Sequence, residues 1–233
     1  MESCKKVIST TILSALFVTA PAFAVEQGDI LMRARIINIA PDVGTNQVLA
    51  GGAPLAAPAG IDVDSATTLD IDFTYMVSNN FGVELLLDIT STHDINGTGN
   101  LAGVNIGEVT VLPPALIAQW HFTPGSNIRP YVGAGINYTM FFSESTSSQF
   151  TTTMDAVLGG GVTSTGVSVD DAFGLVAQAG IDIDINSDWY VNIDAKYISL
   201  DTTATVQVNG ADAATVDFDL NPLVIGVGVG TRF

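Results

Sequence analysis

The chain has 233 residues, of which 47% are hydrophobic and only 13% are charged, and its mean hydropathy is +0.41. Charged residues make up about a quarter of an ordinary soluble domain, so this composition argues against one. The formal net charge of −17 is opposite in sign to the basic surface that phosphate contacts require. Nucleic acid is therefore not expected as a partner.

The first residues have the pattern of a secretory signal peptide. Two lysines precede the apolar stretch TTILSALFVTA, and Ala-Phe-Ala at 22–24 forms a small-x-small cleavage site. We expect residues 1–24 to be removed and residues 25–233 to form one domain. The single cysteine of the chain, Cys4, lies in this leader, so the sequence predicts neither a lipid anchor nor a disulfide framework.

After the leader, no stretch approaches the roughly 20 apolar residues that a membrane-spanning helix requires. An exported, hydrophobic chain of this kind is typical of a closed β-barrel. Only a helix or a closed barrel satisfies all backbone hydrogen bonds within lipid, so the sequence favours an all-β transmembrane barrel.

Eight stretches in which apolar and polar residues alternate follow one another along the chain. They are residues 29–40, 66–77, 81–90, 108–122, 128–142, 170–185, 189–198 and 226–233. Tight turns separate some of them, near 78–80, 123–127 and 186–188. Long links separate the others, near 41–63, 94–107, 143–169 and 203–214, and the third link has room for a short helix. This alternation predicts an eight-stranded antiparallel barrel with short periplasmic turns and long extracellular loops.

The two faces of the predicted strands differ in chemistry. In the last strand Ile225, Val227 and Val229 share one face, and glycines occupy the other. Charged residues fall on the face opposite the apolar stripe, and we expect them to form an interior charge network that braces a narrow lumen. This network comprises Arg33, Arg35, Asp70, Asp72, Glu84, Asp88, Arg129, Asp182, Asp194, Lys196 and Arg232. Aromatic residues lie at the strand ends, where the girdles of a membrane barrel belong.

Several stretches resemble the OmpW family of small bacterial outer-membrane proteins. They are GDILMRARIINIAP, TTLDIDFTYMVSNNFGVELLL, IGEVTVLPPALIAQWHF, RPYVGAGINYTMFF, DDAFGLVAQAGIDIDI and the final VGVGTRF. The resemblance covers nearly the whole mature chain and departs mainly in the loops. It implies an eight-stranded barrel in the bacterial outer membrane, with a hydrophobic channel for the passage of small apolar molecules. The expected partners are outer-membrane lipid and lipopolysaccharide, small apolar solutes, and the barrel-assembly machinery through the C-terminal strand that ends in Phe233.

Apolar side chains on the predicted lumen side form a candidate site for an apolar solute. They are Val109, Val111, Ile117, Val216, Phe218 and Leu220. Eight strands enclose little more than side chains, so the same residues could instead plug the barrel. A plugged barrel would leave the protein a structural or surface role, with its long loops acting as a receptor or adhesin.

Pro113 and Pro114 are a second candidate site. Proline cannot donate a hydrogen bond to a strand ladder, so two in succession should loosen pairing in the fourth strand. Two interpretations remain open: a sideways exit for a solute into lipid, or a strand bend without a transport role.

The sequence does not favour catalysis. His93 has the hydroxyl neighbours Ser91 and Thr92, but adjacency along the chain does not establish a catalytic geometry. His121, the other histidine, is expected near the inner rim. Two distant histidines make a poor metal site, and no nucleotide-binding loop follows the strand glycines. We therefore expect no enzymatic activity, no cofactor and no metal, and a passive channel for small hydrophobic molecules is the leading function.

Overall fold

The computed structural model describes residues 24–50, 53–54 and 59–233, so the expected signal peptide lies outside the described residues except for Ala24. The elements in chain order are β1 (Ile30–Ala40), β2 (Val43–Ala50), β3 (Ala53–Pro54), β4 (Ala59–Val63), β5 (Ala66–Met76), β6 (Phe81–Asp88), β7 (Ser91–Gly99), β8 (Asn105–Leu112), β9 (Ala115–His121), β10 (Ile128–Thr146), α1 (Ser148–Leu158), β11 (Thr165–Val169), β12 (Ala172–Asp184), β13 (Trp189–Val208), β14 (Ala211–Leu220) and β15 (Leu223–Arg232). No helix in these ranges is long and apolar enough to cross a membrane.

Eight of the strands close into a ring by antiparallel pairing. The order around the ring is β1, β5, β6, β9, β10, β12, β13 and β15, and β15 pairs back with β1 from Leu31–Arg232 to Ala40–Leu223. Each ring strand coincides with one of the eight alternating stretches, and the predicted tight turns join them at one end. The eight-stranded barrel is therefore confirmed.

The wall continues beyond the ring on the side of the long links. Strands β10 and β13 are 19 and 20 residues long in total, and each extends past the ring. Strand β13 carries β11 and β14 there, with β2 next to β14, while β10 carries β8, followed by β7 and β4. The long links therefore contain strands instead of irregular loops, because pairing with β10, with β13 and with one another satisfies their backbone groups. The third link, residues 143–169, contains the helix α1, in agreement with the expectation that this link has room for a short helix.

The two faces of the ring meet different surroundings. Leu85, Ile193 and Val227 are between 44% and 54% exposed on the outside, whereas Arg33 and Lys196 are at most 1% exposed inside. The aromatic residues at the strand ends are also exposed on the outside, in a band at each end: Tyr75, Phe81, Trp120, Phe122, Trp189 and Phe233 at the end with short turns, and Phe142 and Phe173 at the other. An apolar outer band bordered by aromatic side chains is the surface that a barrel presents to lipid.

Candidate functional site

An apolar cavity of about 190 Å³ lies where the extension strands meet the ring. Side chains from both extension sheets and from α1 line it, together with the last residues of β1 and the first of β15. Of the predicted apolar residues, the cavity lining contains Val109, Val111, Val216, Phe218 and Leu220.

Ile117 does not belong to this lining. It is fully buried lower in the barrel, where it packs beside two glycines of the neighbouring strand β10. A Cβ atom on Gly133 would lie 2.8 Å from Ile117 Cγ2, and one on Gly135 would lie 2.7 Å from Ile117 Cα. The absence of side chains at these glycines lets Ile117 occupy the interior, so it fills the barrel below the cavity.

Helix α1 covers part of the cavity. Ser147 caps its N-terminus by accepting a hydrogen bond from the backbone N–H of Phe150, at 3.0 Å, and Gly159 ends it in a left-handed conformation. Phe150 and Met154 are one helical turn apart, so both point to the same side, and both line the cavity. The i, i+4 spacing of these two apolar residues is the sequence signal for the face of α1 that packs on the cavity.

A buried ion-pair network fills the ring below the cavity. Arg33 lies at its centre, with Nη1 2.9 Å from Asp72 Oδ1 and Nη2 3.0 Å from Asp182 Oδ2. Arg35 lies two residues further along β1, on the same face of the strand. Its Nε is 2.9 Å from Asp70 Oδ1, and its Nη2 is 2.7 Å from Asp72 Oδ2. These side chains come together because β1 pairs with β5 in a register that places each arginine opposite an aspartate.

The network continues to the opposite wall of the barrel. Lys196 pairs with Asp194, whose Oδ2 accepts a hydrogen bond from the Tyr131 hydroxyl at 2.9 Å. Glu84, 3.5 Å from Arg33 Nη1, also accepts hydrogen bonds from glutamine side chains.

Arg129 and Arg232 lie toward the end of the barrel with short turns. Arg129 pairs with Asp184 at 2.7 Å, and Arg232 is half-buried and donates to the Ser187 carbonyl at 3.0 Å. Removing one partner of a buried ion pair costs about 3–5 kcal/mol, so the paired groups of the network hold each other in place. The ring interior is therefore closed by side chains rather than open to water.

Asp88 lies at the boundary between the network and the cavity. It is opposite Asp70 in the register of β5 and β6, and its side chain belongs to the cavity lining. Its Oδ1 atom is buried and has no hydrogen-bond partner within the part of the chain that the structure describes. Asp88 therefore presents an unused acceptor to the apolar cavity.

The barrel wall is interrupted beside Asp88. The ladder between β6 and β9 stops at Leu86–Ala115 and resumes between β7 and β8 at Ser91–Val111. Pro113 and Pro114 lie within this interruption. Their carbonyl groups accept hydrogen bonds from Asn137 Nδ2 on the next strand, at 2.9 and 3.0 Å.

The sequence neighbours Ser91 and His93 also face the cavity. Ser91 Oγ lies 3.0 Å from His93 Nε2, and His93 Nδ1 lies 2.9 Å from the backbone oxygen of Asp64. Strand β7 is part of the extension beyond the ring. Burial there lowers the pKa of the His93 imidazole, so the ring is neutral near neutral pH. This pair is part of the cavity surface.

His121 is the last residue of β9, near the inner rim as expected. It is fully buried inside the ring, with its ring centroid 5.2 Å from that of Tyr131 and its Nε2 atom 3.2 Å from Gln119 Oε1. Its inward position follows from the alternation along β9, which also turns Ile117 and Gln119 inward.

Known proteins are similar to this chain both in sequence and in fold. Outer membrane protein W of Vibrio cholerae serotype O1 is 35% identical over 98% of this chain and 100% of its own length. Outer membrane protein W of Escherichia coli K12 is 36% identical over the same shares. The crystal structure of the outer membrane protein OprG from Pseudomonas aeruginosa has a TM-score of 0.80 and 30% identity, and the match covers 90% of this chain and 98% of that one. Because residues 26–233 also match the model of the OmpW family, the chain belongs to that family of bacterial outer-membrane β-barrel proteins.

Proposed function

We propose that this protein is a passive outer-membrane channel for small hydrophobic molecules. The observation that carries the proposal is the apolar cavity at the extracellular side of the ring, because nearly all of its lining is hydrophobic. A cavity of this kind removes an apolar solute from water without any cofactor. The channel function that resemblance to the OmpW family implies agrees with this reading.

The proposed route turns sideways instead of running through the barrel. Below the cavity, the ion pairs of Arg33 and Arg35 fill the ring, and an apolar solute would have to break them to pass. The interruption at Pro113 and Pro114 lies beside the cavity, and Leu87 and Ile89 face outward next to it. A solute that leaves there enters the lipid without crossing the charged interior.

A surface role is the second candidate function. The filled ring supports it, because a barrel closed by paired charges can serve as a rigid carrier for extracellular segments. In that case the cavity would be part of the packing of the extension sheets, and no solute would depend on it.

Uptake into cells distinguishes the two functions. A Gram-negative host without its own OmpW homologue is given the wild-type protein or Val216→Trp, which fills the cavity, and the entry of an apolar fluorescent dye is compared with that of a small sugar. Val227→Trp on the lipid-facing surface is the matched control. We expect the wild type and the control to admit the dye but not the sugar, and Val216→Trp to admit neither. Dye entry that does not depend on the protein would favour the surface role, and sugar entry would indicate a water-filled pore.

The sideways route has its own test. Replacing Pro113 and Pro114 with valine restores two backbone N–H donors, so the ladder beside the cavity can close. We expect slower dye uptake by this double variant, whereas Pro124→Val in a periplasmic turn should have no effect. Unchanged uptake by a well-folded double variant would mean that the two prolines only bend the strand and have no role in transport.

Assembly and processing are also proposals. The last strand, β15, closes the ring against β1, and Phe233 follows it with 74% of its surface exposed. We infer that the barrel-assembly machinery recognises this terminal strand after the leader at residues 1–24 is cleaved. Phe233→Ala should reduce the amount of barrel assembled in cells while leaving refolding in detergent unchanged; equal assembly of both proteins would remove this role.

A further inference from the structure

The polar groups on the cavity wall lie together around the interrupted ladder. Asp88 and Ser91 flank the break on one chain segment, and Thr139 lies on β10 beside Met140, which pairs with Leu112. These two segments therefore bring three polar side chains, here called the polar stripe, to the wall of an otherwise apolar cavity on either side of Pro113. The direction of each hydrogen bond in this stripe determines what a solute can offer to it.

The hydroxyl hydrogen of Ser91 already donates a hydrogen bond within the protein. A backbone oxygen only accepts, so the contact with Asp64 requires His93 Nδ1 to carry the imidazole proton. Nε2 of the neutral ring is then an acceptor, and the Ser91 hydroxyl donates to it at 3.0 Å. The lone pairs of Ser91 Oγ remain, so Ser91 can only accept a hydrogen bond from a solute.

The hydroxyl hydrogen of Thr139 also donates a hydrogen bond within the protein. Asn137 Nδ2 donates to the carbonyl groups of Pro113 and Pro114, which fixes the orientation of the amide. Its Oδ1 atom must then face Thr139, whose hydroxyl donates to it at 2.6 Å. Thr139 Oγ1 also retains only acceptor capacity.

Asp88 adds a third acceptor. Its Oδ1 is buried without a hydrogen-bond partner among the described residues, and in its ionised form the Asp88 carboxylate can only accept. A buried polar atom without a partner is unfavourable, so a donor that reaches it is favoured. The other polar lining side chain, His93, is engaged through both ring nitrogens.

We propose that the cavity selects apolar solutes that carry one hydrogen-bond donor, such as alkylphenols and medium-chain alcohols, over apolar solutes of equal size that can only accept. The inference rests on the proposed channel function and names the class of solute for the same cavity. The apolar lining holds the hydrocarbon part, and Asp88, Ser91 and Thr139 receive the donor. A methyl ether or ketone of the same shape finds no donor there, and its oxygen meets acceptor atoms only.

The test compares a para-alkylphenol with its methyl ether. Uptake of both is measured in the host described above, and binding of both to the purified protein in lipid nanodiscs is measured from the NMR shifts of the Ser91 and Thr139 amides. One hydrogen bond more or less corresponds to roughly a two- to tenfold difference in affinity, so we expect the wild type to prefer the phenol by that factor.

Two cavity variants and one control assign the preference to the stripe. Asp88→Asn keeps the shape of the side chain but adds a donor, so the ether should gain affinity and the preference should shrink. Thr139→Val removes one acceptor and should also reduce it. Asp217→Asn changes an exposed acid on β14 and should leave the preference unchanged.

Each remaining outcome decides against one of the two proposals. Equal binding and uptake of phenol and ether, both abolished by Val216→Trp, would overturn the donor selectivity and leave the channel function standing. Uptake of neither compound through the protein would overturn the channel function and, with it, this inference.

Discussion

Single glycines determine how the interior of this barrel packs. Tyr131 and Tyr190 are fully buried, and each lies over a glycine of a neighbouring strand, Gly180 and Gly230 respectively. A Cβ atom built on either glycine would lie 2.3 Å from the tyrosine ring, closer than any real contact. The rings also stack with the buried arginines, since Arg33 Cζ lies 5.1 Å from the centroid of Tyr131. The glycines therefore leave the space in which the tyrosines contact the charge network.

Gly180→Ala tests this dependence. The added methyl group would displace the Tyr131 ring, which is held by its hydrogen bond to Asp194, so we expect unfolding free energy to fall by about 1–3 kcal/mol. Urea unfolding in lipid vesicles, followed by tryptophan fluorescence, measures the change. Gly125→Ala is the control, because no atom of the described residues lies within 4 Å of a Cβ atom at that turn position. Equal stability of the two variants would show that the ring can move without cost.

His93 makes one part of the stability depend on pH. Because burial holds its pKa below the ordinary value of 6.5, the unfolded chain takes up a proton before the folded chain does as the pH falls. The free energy of unfolding should therefore decrease as the pH falls from 6.5 towards the lower pKa of the folded state. The His93→Gln variant should lack this contribution to the pH dependence. An NMR titration of the imidazole gives the folded pKa directly, with His121→Asn to assign the signals. A His93 pKa at or above 6.5 would contradict this account.

At the scale of the elements, the sequence predicts the ring far better than the extension. The ring strands alternate clearly, because one face meets lipid and the other the filled interior. Strand β7, with the sequence STHDINGTG, is polar on both faces and resembles a loop, and it is a strand because β4 and β8 pair with it. The candidate site shows the same difference. The alternation along β8 and β14 predicted Val109 and Val216, and the alternation along β6 placed Asp88 on the inner face, whereas Ser91 depends on neighbours that no local pattern reveals.

Helix α1 is the element that we expect to control access to the cavity. Gln149 attaches it to the β7–β8 turn, where its Nε2 donates to the Gly103 carbonyl at 2.9 Å, and Phe150 is 2% exposed against the cavity. Phe150→Ala removes the main apolar contact of the helix. The α1 amides should then exchange hydrogen faster and apolar dye should enter faster, whereas Val157→Ala on the exposed side should change neither. Faster amide exchange without faster uptake would mean that α1 does not limit entry.

At the scale of the whole molecule, the chain sorts its side chains into three environments. The outer surface of the ring is apolar, the interior holds paired charges, and the extension encloses an apolar cavity. A soluble β-barrel would place its charges outside and its apolar residues inside. The inverted arrangement is stable only where lipid replaces water around the ring.

A charge on the outer surface tests this arrangement directly. Val227 lies in the middle of β15, paired with Ile36 on one side and Ile193 on the other, and it is 54% exposed. Val227→Arg should reduce the free energy of folding into lipid vesicles by roughly 2–4 kcal/mol, the cost of an arginine facing the middle of the bilayer. Val157→Arg on α1, at 67% exposure, is the matched control and should change it by no more than about 0.5 kcal/mol, because that side chain lies in the extracellular segment. If the two arginines cost the same, the surface around Val227 would not face lipid, and the membrane orientation assigned to the ring would be wrong.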